Sequence, residues 1–458
     1  MHRANGSVSE QRPVFSKVAG FVRTPIFLIF IAGVAIRLIL APLLTMGYDV
    51  YHWALVISNF QADAGLYELP GYYYTPVWGY IMGFISVVQD MFMNIPVFGE
   101  RFTEAFSIEI GGNTRATATI TTVGFNVACK IILFVADILV GYLIYTTIKD
   151  HLKDEKKATY AFALWFLCPV VIVVSAVGGM FDAFSVLFLL AAVMLVFRSQ
   201  YLMGGAMFCL AVFTKFFPAF FFPFLIAYIV MRHRDGTAVK HVAQAAVGFG
   251  IVAAIMYIPL VLDGTAMDSL SFLTGRLDGG MGLGLGAIEV YGTVAAYVMI
   301  LIMSILIAWK YYQKGDTSLE TSMRYMLMIA AVTMLYPPAP QYTLIMMPFL
   351  IFCMLTTDKD LKRSWILLSV FVTASALTSN FTLMLSAGAY TDLIALDAVV
   401  SLIDQYRTAM VFGLNVESII YYFLGVMQYI SILSVLYFMF KGDISKYMQR
   451  RNAQAMKE

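Results

Sequence analysis

Apolar runs recur along this chain at about 24–45, 119–147, 157–176, 182–198, 201–214, 216–231, 240–262, 287–310, 322–337, 340–357, 364–387 and 417–440, and no other feature limits its fold as strongly. A helix needs roughly 20 apolar residues to cross a hydrocarbon core, and several runs come close to that or exceed it. Inside lipid only a helix or a closed barrel satisfies its own backbone groups. Composition agrees, with 60% of the 458 residues hydrophobic and 13% charged, against about 25% charged in a soluble domain. The expectation is an all-α polytopic membrane protein with about 12 transmembrane helices. The run at 24–45 is longer than a signal-peptide core, and no small-residue cleavage site follows it, so it reads as a retained first span.

Charge sets the orientation. Placing the tail 1–23, the loops near 148–157, 198–201, 232–240, 310–324 and 358–363, and the tail 441–458 in the cytoplasm puts 23 of the 30 Lys and Arg inside. Both termini are then cytoplasmic. The bias also demotes one stretch: if 72–88 crossed, Lys149, Lys153, Lys156 and Lys157 would face outward. The segment 46–118 is therefore read as one long outer loop with juxtamembrane helices, and 72–88 as lying in the outer leaflet. Pro76, Gly79 and Gly83 interrupt that stretch, and non-helical backbone at this depth needs protein or a wet cavity beside it. The chain divides into a seven-span module at 24–262 and a five-span module at 263–440, the latter with outer loops 263–286 and 388–416.

Several function classes lack their residues. Cys129, Cys168, Cys209 and Cys353 lie in apolar segments, which suits packing. No His-x-Glu or Cys-x-x-Cys spacing supplies metal ligands, so no metal or cofactor is expected. No basic run has the footprint of a nucleic-acid binder.

On the outer side under this topology, chemistry-bearing residues gather. Asp49 stands just beyond the first span, where a carboxylate at the mouth of an apolar cavity can act as a general base. The alternative is a solvated loop acid. His52 shares its helical face, and either orients Asp49, meets a phosphate, or sits at the interface beside Trp53. Tyr72, Tyr73, Tyr74 and Trp78 follow as the lining of a groove. Asp182 closes the turn Gly178-Gly179-Met180-Phe181-Asp182, which also reads as a plain helix cap. Lys215 either holds an anionic phosphate or snorkels to the interface. Arg276 lies in the glycine-rich loop 263–289, a mobile cover. Gln341 lies in the proline-broken Pro337-Pro338-Ala339-Pro340-Gln341-Tyr342. Arg37, Lys130 and Asp137 fall within spans, where charge is functional by default, though a structural ion pair from Asp137 to another helix accounts for it equally.

In that order these pieces resemble the integral membrane glycosyltransferases of the C superfamily. The likeness is nearest to bacterial polyprenyl-phosphate-mannose-dependent mannosyltransferases, including those that extend phosphatidylinositol mannosides. It is looser to the eukaryotic GPI mannosyltransferase that adds the first mannose. It is carried by Asp49, by Tyr73-Tyr74-Thr75-Pro76, by the run ending at Asp137, by Trp165 to Pro169, by Gly179 to Asp182, by Thr214-Lys215-Phe216-Phe217-Pro218, and by Pro340-Gln341-Tyr342 with Pro348. It covers about 30–350. The first loop lacks a second acid two residues after Asp49, as in metal-independent members, and no outward histidine follows His52.

The resemblance implies an inverting enzyme that moves a hexose, mannose by likeness, from a polyprenyl-phosphate donor to a glycolipid or glycan acceptor at the outer membrane face. Asp49 would be the base, Lys215, Arg276 and Arg37 would hold the donor phosphate, and His52, Tyr73, Tyr74, Trp78, Asp182 and Gln341 would line the groove. A transporter or flippase for a lipid-linked or anionic solute is the competing class, and the charges within spans favour it. No convincing internal repeat supports it. Asn-x-Ser/Thr sequons occur only at Asn5, in the tail, and at Asn380, read as inside a span; their absence from outer loops favours a bacterial plasma membrane.

Overall fold

A computed structural model describes residues 24–68, 72, 74–90, 102–103, 107–110, 114–117, 120–270, 287–336, 339–357, 360–380 and 382–455. The described chain is nearly all helix. α1 (Pro25–Leu43), α2 (Gly47–Gln61) and α3 (Pro76–Asp90) precede the long α4 (Val123–Leu152). Then come α5 (Glu155–Phe166), α6 (Pro169–Ile172) with a π turn at Val173–Val177, α7 (Asp182–Phe197) and α8 (Tyr201–Val212). A 3₁₀ turn at Phe217–Phe221 leads into α9 (Phe222–Arg232), followed by α10 (Ala238–Leu262), α11 (Ala287–Lys314) and α12 (Leu319–Thr333). A second 3₁₀ turn, Pro340–Met346, opens α13 (Met347–Thr356), and α14 (Leu361–Thr378), α15 (Leu385–Tyr390), α16 (Leu396–Thr408) and α17 (Val416–Ala455) complete the chain. Strand appears as three two-stranded antiparallel ladders, Phe102–Thr103 with Ile120–Thr121, Ser107–Ile110 with Thr114–Thr117, and Met410–Val411 with Leu414–Asn415.

The surface is that of a membrane protein. Five helices among the described residues, α1, α4, α10, the Tyr291–Lys314 part of α11 and the Val416–Lys441 part of α17, are long and apolar enough to cross a bilayer, and the bent pair α5–α6 qualifies when taken together. On α10, Val247, Ile251, Ile255, Ile258 and Val261 are each more than half exposed. A soluble domain does not leave such a stripe open. The apolar helices α3, α7, α8 and α13 are shorter; α7, at 16 residues, reaches about 24 Å. They pack among neighbours, and α8 and α10 cross backbone against backbone. A Cβ on Gly205 would lie 1.9 Å from the Ala245 carbonyl oxygen, and one on Gly248 would lie 1.8 Å from that of Leu202. Small residues allow that approach between membrane helices.

Three charges expected within spans are fully buried, and each has a partner. Arg37 Nε donates to Asp137 Oδ2 at 2.9 Å, and its Nη1 donates to the carbonyls of Gly33 and Phe166. Ser175 Oγ, carried by the π turn, donates to the same Asp137 oxygen at 2.6 Å. Arg37 therefore joins α1 to α4 and α5, and the donor-phosphate role expected of it is dropped. Lys130 Nζ donates to the carbonyls of Ala41 (3.0 Å) and Leu44 (2.7 Å) at the end of α1. Helix C-termini leave carbonyls without intrahelical partners, and a cation there also meets the negative end of the dipole. Lys130 thus fixes the chain just before Asp49. The sequon at Asn380 lies beyond the end of α14 and not inside a span; its Oδ1 accepts the Thr382 hydroxyl at 2.6 Å.

Arg37→Ala is expected to destabilise the protein by about 3–5 kcal/mol, because it strands the Asp137 carboxylate. The paired change Arg37→Met with Asp137→Leu should cost less than Arg37→Ala alone. Thermal unfolding of the detergent-solubilised variants measures both.

Candidate functional site

The site is assembled where α2 lies on the turn between the π helix and α7. The π turn widens the backbone and delivers the chain to Gly178 and Gly179, the latter at φ +67°. A side chain there would be strained by conformation and by space, since a Cβ on Gly179 would sit 2.7 Å from Val50 Cγ2. Trp53 Nε1 donates to the Gly179 carbonyl at 3.1 Å. α2 is thereby held against the residues that lead into Asp182.

The N-terminus of α2 is completed from the far end of the chain. Gly47 N–H donates to Thr382 Oγ1 at 3.0 Å, and Thr45 N–H donates to the Leu383 carbonyl at 2.9 Å. Asp49 falls in the first turn of α2, where a carboxylate is favoured by the helix dipole. His52 lies one turn on, with its ring edge-on to Tyr48 at 4.6 Å.

Asp182 comes to Asp49 from the start of α7, and Lys215 from the break after α8. Lys215 Nζ lies 3.6 Å from Asp182 Oδ2, and both side chains are about 5% exposed. Three rings surround the ammonium: Phe181 at 4.2 Å, Tyr74 at 4.7 Å and Tyr342 at 5.2 Å from their centroids. A desolvated cation gains from such faces. The snorkelling alternative for Lys215 is set aside by this burial. Asp49 is partly buried beside the pair. Burial lifts its carboxyl from 3.8 to about 6; the Lys215 charge opposes the rise and the Asp182 charge adds to it. At neutral pH Asp49 is a carboxylate with a proton affinity suited to general-base work.

Beneath this cluster is an aromatic core. Phe181 stacks on Trp78 at 5.0 Å and meets Trp53 and Tyr74 edge-on. Trp78 is fully buried, so it supports the cluster and does not line a groove as expected. Tyr72 and Tyr74 are buried against Trp53, and the Tyr67 hydroxyl donates to the Tyr74 carbonyl. Gln341 is partly buried at the start of the second 3₁₀ turn, and it is its neighbour Tyr342 whose ring faces Lys215. Tyr73 and Arg276 lie outside the described residues. The structure therefore brings together Asp49, Asp182, Lys215, Tyr74 and the Gln341–Tyr342 segment, and assigns Arg37 elsewhere.

Sequence reasoning passed over Phe181, Tyr342 and Thr382 as working residues. The first two had a signal, since each directly adjoins a residue singled out for its polarity. Thr382 had none, because a hydroxyl in an apolar run identifies no partner 335 positions away.

No protein-family model matches the chain, and no curated protein shows significant similarity to it.

The raised Asp49 carboxyl makes a stability prediction of definite sign. A carboxyl with a folded-state pKa above its ordinary 3.8 favours the folded state at low pH, and that contribution is lost as pH rises through about 6. Asp49→Asn removes the penalty, so at pH 7 it should stabilise the protein by up to about 3 kcal/mol. At pH 4 the variant and the parent should unfold at similar temperatures. Thermal denaturation at the two pH values decides it.

Proposed function

We propose that this protein is an inverting, metal-independent glycosyltransferase of the membrane, using a polyprenyl-phosphate hexose, mannose by resemblance, as donor. The observation that carries the reading is the environment of Asp49. It is a partly buried carboxylate raised to about 6, next to a buried Lys–Asp pair enclosed by aromatic rings. The order of motifs that resembles the C superfamily adds to it.

In this reading Asp49 accepts the proton of an acceptor hydroxyl on a glycolipid or glycan. The oxygen attacks the anomeric carbon, the bond from that carbon to the phosphate oxygen breaks, and the polyprenyl phosphate leaves with the electron pair. Lys215 is too enclosed for a direct salt link to the phosphate. Its charge instead opposes the negative field of the two carboxylates and of the departing group. Asp182 keeps Lys215 in position. An apolar cavity of about 400 Å³ among α7, α8, α9 and α10 supports a lipid donor; Val212 and Ala219 in its wall sit on either side of Lys215 in sequence. The site would face the outer side of the membrane, with about 12 spans and both termini cytoplasmic; the sequon argument for a bacterial membrane falls with the placement of Asn380 beyond α14.

A transporter was favoured by charge within spans, and Arg37, Lys130 and Asp137 now have structural partners that account for them.

Transfer of hexose from a polyprenyl-phosphate donor should be measurable with purified protein in detergent, where transport across a membrane is impossible. Asp49→Asn is expected to abolish it while the protein remains folded; substantial retained turnover sinks the assignment. Because the base works as the carboxylate, kcat/KM should climb tenfold per pH unit below about 6 and level off above it.

The cavity makes a separate kinetic prediction. Val212→Trp narrows it and should raise KM for a long-chain donor, leaving kcat for a short-chain donor near the parent value.

A further inference from the structure

At the end of the bundle opposite Asp49, a second cavity, of about 370 Å³, opens among α4, α7, α9 and the turn before α12. α7 starts at Asp182 and runs to Phe197, so this cavity lies roughly 24 Å from the carboxylate cluster along that helix. Its floor is apolar: Met194 and Leu319 contribute, and the rings of Phe197 and Tyr228 pack 4.5 Å apart. Its polar wall carries Arg198, Arg232 and Asp150.

Both arginines are fixed at helix ends. Arg198 caps α7 in a closed turn, with Ser199 at φ +61°, the Ser199 N–H on the Val196 carbonyl and the Gln200 N–H on that of Leu195. Arg232 is the last residue of α9. Helix C-termini accommodate positive charge, yet neither arginine forms an ion pair among the described residues. Nearby carboxylates are engaged elsewhere. Glu320 pairs with His151 at 3.0 Å, and Asp316 accepts from Ser318 and Thr321. Two exposed guanidiniums therefore line an apolar-floored cavity with a single carboxylate, Asp150.

We propose that this cavity binds the headgroup of an acidic, hydroxyl-bearing phospholipid of the phosphatidylglycerol class. The phosphodiester would lie between Arg198 and Arg232, since guanidinium is the side chain best matched to phosphate oxygens. A headgroup hydroxyl would donate to Asp150, and the start of an acyl chain would cover Phe197 and Met194. The apolar floor selects a lipid over a soluble phosphodiester, and basic pockets between membrane helices are suited to such headgroups. The inference concerns the far end of the bundle and stands independently of any role for Asp49.

Native mass spectrometry of the full-length protein, titrated in detergent with phosphatidylglycerol, phosphatidylcholine and water-soluble glycerophosphoglycerol, tests it. Phosphatidylglycerol should be retained about tenfold more strongly than phosphatidylcholine, as expected for one charge-assisted contact of net worth near 1.4 kcal/mol. Arg198→Gln with Arg232→Gln should erase that preference. Lys153→Gln with Lys156→Gln, an equal charge loss away from the cavity, should keep it. Asp150→Asn should lower the preference for phosphatidylglycerol over phosphatidylmethanol, which has the same charge and no headgroup hydroxyl. The proposal is overturned by equal retention of the two natural lipids, by a preference that survives the arginine changes, or by equal loss in the lysine control. Competition by glycerophosphoglycerol as effective as by the lipid also overturns it.

Discussion

A charge inside a low-dielectric helix bundle must find its counter-charge or a set of dipoles, and that constraint arranges this protein. Arg37 meets Asp137, Lys130 meets the open carbonyls at the end of α1, and Lys215 meets Asp182 within three aromatic rings. The first two partnerships fix where the chain leaves α1. The third sets the field in which Asp49 sits. Enclosure thus falls from the fully buried Arg37–Asp137 pair, through Lys215–Asp182, to the partly open Asp49.

The π turn links these two tasks. Its Ser175 adds a second donor to Asp137 Oδ2, and its exit at Gly178 and Gly179 provides the seat on which α2 rests. An ordinary α-helical turn would rotate the exit and carry Asp182 away from Lys215. A packing defect in one helix therefore coordinates a buried ion pair with the position of a candidate base, a use to which such bulges are often put.

Much of this was legible in the sequence, and for specific reasons. Apolar run length announces helices, because lipid leaves the backbone few alternatives. Asp49, Asp182 and Lys215 stood out because polar residues are scarce in such a composition, and the structure does gather them. What could not be read was which buried charges are satisfied. Arg37 and Lys215 look alike as isolated cations in apolar runs, and only packing shows that one neutralises a structural acid while the other adjoins Asp49. Trp78 was misjudged for a related reason. A Tyr- and Trp-rich segment marks either a groove or its foundation, and burial decides between them. Tertiary hydrogen bonds such as Thr382 to Gly47 carry no local signature.

That last bond bears on how the protein is made. The helix carrying Asp49 is among the first to leave the ribosome, yet the hydroxyl that receives its leading N–H comes from a residue 335 positions later. Until that late segment arrives, the first N–H of α2 lacks this acceptor, and the helix is held by the bond from Trp53 to the Gly179 carbonyl. The start of the helix that carries Asp49 therefore takes its final hydrogen-bonded form only after residues 382–383 have been made.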